Sequence, residues 1–178
     1  TSWLEFNARV LNEGLDSRQP LLEQLKFLCI FRSNLDEFFM IRVANVQRQY
    51  ENHVPSTGPD KTPPGRQLAE IRRLVLAQLG LAQEHWSKWL VPHLRERGVR
   101  LVRYCDLTRK QQKFLDQYFA DEVFPALTPQ AIDPSHPLPV ISALTLNFLV
   151  QLEDKHGVTR YARLKIPNNF PRLVFSPR

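Results

Sequence analysis

From residue 2 to about residue 97, apolar positions recur three and four apart, the spacing of one face of an α-helix. Ser2 followed by Glu5 fits a capping box and predicts a short helix to about residue 13. A turn over 16–20 ends in Pro20. A long amphipathic helix is predicted over 21–49, with Leu21, Leu25, Leu28, Leu35, Phe39 and Val46 on one seam. The segment 55–65 is rich in proline and glycine and predicts an irregular connection. A second long helix is predicted over 66–97, with Leu68, Ile71, Val75, Leu79, Ala82, Trp86 and Leu90 inward, Pro92 kinking its end and Gly98 stopping it. One short and two long antiparallel helices make a small bundle over residues 1–104.

The pattern then changes. Residues 99–104 suit a short strand, and Thr108 suits the cap of a helix to about 123, with Phe114, Leu115, Tyr118 and Phe119 buried. The proline-rich stretch 125–139 reads as extended and rigid. Residues 144–152 alternate with period two, 153–157 form a turn, and 158–166 return as a strand; 172–175 is predicted as a third. The fold class is therefore mainly α, then α+β: a helical bundle over 1–104, and over 105–178 a partial α+β domain with an antiparallel three-stranded sheet.

Within the first long helix, Asn34 stands among Phe27, Ile30, Phe31, Phe38 and Ile41, which share its helical face. A carboxamide carries a donor and an acceptor, and leaving it buried and unpaired costs about 1–3 kcal/mol. A backbone group, a water, or a planar ligand with a donor beside an acceptor, such as adenine, could satisfy it. Asn34 followed by Glu37 also fits a capping box, in which case the helix restarts there. Spacing alone leaves both readings open.

Other chemistry is sparse. The six glycines spell neither GxxxxGK[ST] nor GxGxxG. His85 and His93 share a helix side over two turns without a third ligand at a diagnostic spacing, and His136 in a proline frame reads as a structural hydrogen-bonding group. Asp36 and Glu37 point about 100° apart and cannot face each other as an acid–base pair; Asp36 can bond Arg32 instead. Trp86 and Trp89 read as core, and Arg42 as a cation that faces a phosphate or snorkels. Cys29 and Cys105 lack metal or redox spacing and read as reduced and at least half-buried. A net charge of +6, divided as +4 over 1–104 and +2 over 105–178, favours polyanions in general without selecting one. With 43% hydrophobic residues and no apolar run near the ~20 needed to span a bilayer, the chain reads as soluble and cytoplasmic.

Three early strings, SWLEFNARVL at 2–11, PLLEQLKFL at 20–28 and SNLDEFFMIRV at 33–43, and three later ones, LTPQAIDPSHPLP at 127–139, SALTLNF at 142–148 and YARLKIP at 161–167, carry a resemblance. Together, in this order, they resemble the opening of bacterial polyphosphate kinases of the histidine-phosphorylating type. Gly14, where an alanine is usual, and Phe31-Arg32, where smaller residues precede the Ser-Asn pair, depart from that pattern. The resemblance implies an enzyme that moves the terminal phosphate of ATP reversibly onto polyphosphate through a phosphohistidine, with Mg2+. It implies that the catalytic groups lie in later C-terminal domains absent from these 178 residues, so that this fragment alone is inactive. It also implies that Asn34 contacts adenine, that the head domain beginning near Cys105 contributes to a homodimer, and that nucleic acid is not a partner. The competing reading is a non-enzymatic helical module that grips a protein or polyanionic partner through its basic surface.

Overall fold

The computed structural model describes residues 2–54, 62–133 and 140–175, and divides into two compact units, Thr1–Leu101 and Val102–Arg178. In the first unit, α1 (Ser2–Leu15) packs antiparallel on α2 (Leu21–Phe38). A π-helical turn (Phe39–Val43) carries α2 without interruption into α3 (Ala44–Glu51). The returning arm is α4 (Pro64–His85), a π turn (Trp86–Leu90) and α5 (Val91–Glu96). The two predicted long helices are therefore present, each with one wide turn. Pro92 explains the second: it has no N–H to return to the preceding turn, and the ladder loosens before it. Gly98, at φ +83°, ends the arm with paired bonds from Val99 N to Leu94 O (2.9 Å) and Gly98 N to Arg95 O (3.0 Å), a Schellman stop.

Leu4 and Leu11 of α1, Leu28, Phe31, Leu35 and Phe38 of α2, and Val75, Ala82 and Leu90 of the returning arm form the core. Phe31 is 0% exposed at its centre. Gly14 allows the closest approach of α1 to α2, since a Cβ there would lie 3.2 Å from Gln24 O and 3.2 Å from the Phe27 Cβ. Asp16 closes the α1–α2 turn by accepting from Arg18, which holds the Asp16 carboxyl down to about 2. Ser2 lies inside the first turn and makes no bond with Glu5, so the predicted capping box is absent.

In the second unit, Thr108 caps α6 (Arg109–Tyr118) with a complete capping box: Gln111 N donates to Thr108 Oγ1, and Thr108 N donates to Gln111 Oε1 (3.1 Å). A π turn (Phe119–Val123) and a short 3-10 turn (Phe124–Ala126) follow. The antiparallel sheet has β3 (Thr159–Lys165) at its centre, between β1 (Pro129–Ile132) and β2 (Asn147–Glu153). Three strands were expected, but their identities differ. Residues 99–103 form no strand, and neither does 172–175, which follows Pro167 and Pro171. The third strand comes instead from the proline-rich segment. Pro129 opens it at the sheet edge, where a missing donor breaks no ladder bond. Asp154 and Gly157 (φ +78°) close the predicted β2–β3 turn.

Burial in this unit is light. Phe114 and Phe119 are exposed, Leu115 and Tyr118 half-buried, contrary to the expected buried face of α6. Both cysteines are exposed, Cys105 in a short 3-10 turn and Cys29 on the flank of α2 between its apolar stripes. No helix among the described residues is long and apolar enough to cross a membrane.

Replacing Phe31 with alanine empties the centre of the helical core and should destabilise the first unit by about 3–5 kcal/mol. All three tryptophans, at 3, 86 and 89, lie in that unit, so urea titration followed by tryptophan fluorescence reads the loss directly. A cost under about 1 kcal/mol would contradict this packing.

Candidate functional site

Asn34 lies in the interior of α2, three turns past its start, which removes the reading of Asn34 as a helix cap. Its partner is on the neighbouring helix. Asn34 Nδ2 donates to Asn7 Oδ1 (3.0 Å), and Asn7 Nδ2 donates to the main-chain carbonyl of Phe31 (3.1 Å). Asn7 is 0% exposed, on the stripe Leu4, Asn7, Leu11 and Gly14 that α1 turns inward. Asn34 is half-buried, and among the described residues its Oδ1 accepts no hydrogen bond. The only described side-chain atom both buried and unpaired is Gln78 Oε1, so the Asn34 acceptor reaches solvent.

The aromatic rings do not surround that amide as the spacing suggested. Phe31 and Phe38 are buried in the core, and Phe38 stacks on Trp3 with centroids 4.4 Å apart and planes 10° apart. The exposed apolar side chains on this flank are Ile30 and Ile41, one turn before and two turns after Asn34, with half-buried Phe27. On α1, Phe6 is exposed next to Asn7 and carries the Arg9 guanidinium 5.8 Å from its ring centre.

A concavity lies on the other face of α2. Leu25, Leu28, Cys29, Arg32, Ser33 and Asp36 face Leu79, Ala82, Gln83 and Trp86 across an open groove of about 790 Å³. Asn34 does not line it. Arg32 and Asp36 both do, and they form no ion pair with each other, unlike the expectation.

Near the start of α2 a second buried amide links that helix to the preceding turn and to α4. Gln24 donates from Nε2 to Gln19 O (2.8 Å) and meets His85 Nε2 through Oε1 (3.0 Å). Burial lowers the basicity of His85. Trp86 packs on the core, but Trp89 is 39% exposed and stacks on His93, 4.0 Å between ring centres. Arg42 is exposed in the π turn and pairs with no carboxylate. His136 lies outside the described residues. Among the described residues no three His, Cys, Asp or Glu side chains converge to hold a metal.

Sequence reasoning missed Asn7 and Gln24. Asn7 was signalled as plainly as Asn34, being one amide in a stripe of Leu4, Leu11 and Gly14 at helical spacing.

Signatures described as the polyphosphate kinase N-terminal domain and the polyphosphate kinase middle domain match residues 1–102 and 110–177. The chain belongs to the polyphosphate kinase family. The polyphosphate kinase of Thermosynechococcus vestitus is 47% identical over 178 residues, 99% of this chain and 24% of that protein. Polyphosphate kinase 1 of Chlorobaculum tepidum is 43% identical over 175 residues, 97% of this chain and 25% of its own length. The crystal structure of polyphosphate kinase from Porphyromonas gingivalis superposes with a TM-score of 0.79 at 33% identity, over 99% of this chain and 26% of that one. The chain thus spans about a quarter of the polyphosphate kinases it matches.

Because the folded state favours neutral His85, its contribution to stability is complete above the ordinary histidine value near 6.5. It is lost as pH falls through the lowered folded value. Thermal melts of the polyphosphate kinase chain at pH 7 and pH 5 should show a smaller acid-side decline for His85→Gln than for the parent sequence. Equal declines would remove His85 as a contributor.

Proposed function

We propose that this chain supplies the adenine-reading wall, and the start of the dimerising head, of an enzyme that transfers the terminal phosphate of ATP reversibly to polyphosphate. Asn34 is the residue that reads the base. One observation carries this reading. The Asn34 amide is fixed by a neighbouring buried side chain, yet its acceptor and one N–H take no partner among the described residues. The bond satisfies the buried Asn7 oxygen and at the same time fixes the direction in which the Asn34 oxygen points. Adenine offers a matching edge, an amino donor beside a ring-nitrogen acceptor, and the exposed Ile30, one turn before Asn34, gives its ring apolar surface to lie on.

Phosphoryl transfer needs dense positive charge and a metal about the γ-phosphate. The described residues of this chain do not converge into a Mg2+ site, and no glycine-rich phosphate loop is present in its sequence. The resemblance to the histidine-phosphorylating type supports a phosphohistidine, a metal and phosphate-binding cations in other domains of the full-length enzyme. It supports a cytoplasmic homodimer with ATP, ADP and polyphosphate as its ligands.

In the full-length enzyme, Asn34→Ala should raise the KM for ATP about five- to tenfold, the worth of one or two lost hydrogen bonds. Turnover at saturating ATP should fall by less than that. Steady-state kinetics with a fixed polyphosphate primer make the measurement. An unchanged KM in a variant that melts like the parent would remove Asn34 from base recognition.

A further inference from the structure

We infer that Asn7 is a positioning residue: it decides which end of the Asn34 amide faces the nucleobase, and thereby selects purines that carry an amino group at position six. This rests on the reading of Asn34 as the base-reading residue.

The argument follows the polarity of three groups in series. The Phe31 carbonyl can only accept, so Asn7 must turn Nδ2 toward it, as it does at 3.1 Å. Turned the other way, Asn7 would set its own oxygen against that carbonyl inside the core. With Nδ2 committed, Asn7 Oδ1 is the acceptor that remains, and it receives Asn34 Nδ2 at 3.0 Å. Asn34 is therefore held with nitrogen toward α1 and oxygen away from it. A main-chain carbonyl, which cannot change sign, dictates the orientation of an exposed amide through one buried intermediary.

Packing alone would be served as well by leucine at position 7, between Leu4 and Leu11 on the same inward stripe. What the amide adds is a fixed direction. An outward Oδ1 accepts from the 6-amino group of adenine, while the second Nδ2 hydrogen can reach an adjacent ring nitrogen. A 6-oxo purine would bring its oxygen against Oδ1, two acceptors facing each other. Without Asn7 the Asn34 amide can rotate by half a turn and serve either purine. Orientation, more than affinity, is what Asn7 controls.

The test uses the full-length enzyme with ATP and with inosine triphosphate, in which oxygen replaces the 6-amino group. For each nucleotide, kcat and KM are measured for the parent, Asn7→Leu, Asn34→Ala and the double variant. Asn7→Leu is expected to lower the ATP-to-ITP ratio of kcat/KM by about fivefold or more, chiefly through KM. The double variant is expected to match Asn34→Ala, since Asn7 acts through Asn34. If Asn7→Leu does not fold, as judged by tryptophan fluorescence and melting, Asn7→Ala removes the same two bonds with less bulk and is read the same way. A folded Asn7 variant that keeps the parent ratio, while Asn34→Ala lowers it, overturns the positioning role alone. An Asn34→Ala variant that handles both nucleotides like the parent overturns base reading itself, and this inference with it.

Discussion

A carboxamide placed where two helices touch has to be paired, and that requirement organises the α1–α2 contact. Asn7 sits in full burial at this seam, and an unmet amide there would cost about 1–3 kcal/mol. The chain meets the requirement from α2, with the Phe31 carbonyl on one side and Asn34 on the other. Apolar contacts hold the helices together but tolerate sliding; hydrogen bonds of fixed polarity do not. The remaining contacts agree with that register. Gly14 admits the backbone of α2 at one end of α1, and Trp3 stacks on Phe38 at the other. The same pairing that sets how α1 lies on α2 also sets how Asn34 is presented.

This coupling distinguishes the two faces of α2. The groove beside Leu25, Cys29, Arg32 and Asp36 is of a size that small ligands occupy. Its polar groups, however, have no orienting partners: Arg32 is exposed and unpaired among the described residues, and Asp36 makes no bond to it. Recognition of a planar base needs donors and acceptors held in place before the ligand arrives, because ordering them on binding subtracts from affinity. On that criterion the clamped amide at Asn34 is better prepared than the groove.

Helical periodicity carried the first hundred residues well, because a bundle buries stripes and stripes repeat. The end at Gly98 and the cap at Thr108 were legible because single residues with special backbone or side-chain demands mark them. Two kinds of information were not. Side-chain partners across helices depend on which faces meet, so Asn34 was visible as an isolated amide while its bond to Asn7 was not. Strand identity in the second unit depends on pairing. The segment 125–139 read only as extended and rigid, yet Pro129 opens an edge strand in it. The exposure of Cys29 and Trp89 was missed for a related reason. Both flank an inward stripe, and a stripe read from spacing has no sharp border.

The second unit shows how differently the two parts of this chain are stabilised. In its sheet only Ala162 and Arg163 are buried among the described residues. Phe148 and Leu152 remain exposed on one face, and Leu149 and Tyr161 on the other. Arg163, 7% exposed, is held by the neutral amide oxygens of Asn147 (2.9 Å) and Gln130 (3.5 Å) and, among the described residues, by no carboxylate. A buried guanidinium contributes little to stability in itself. Three strands with two uncovered apolar faces bury less than an independent domain needs. The helical unit, by contrast, closes a core of nine side chains around Phe31. The proposed reading of a base at Asn34 therefore rests on the unit whose buried side chains form a continuous core.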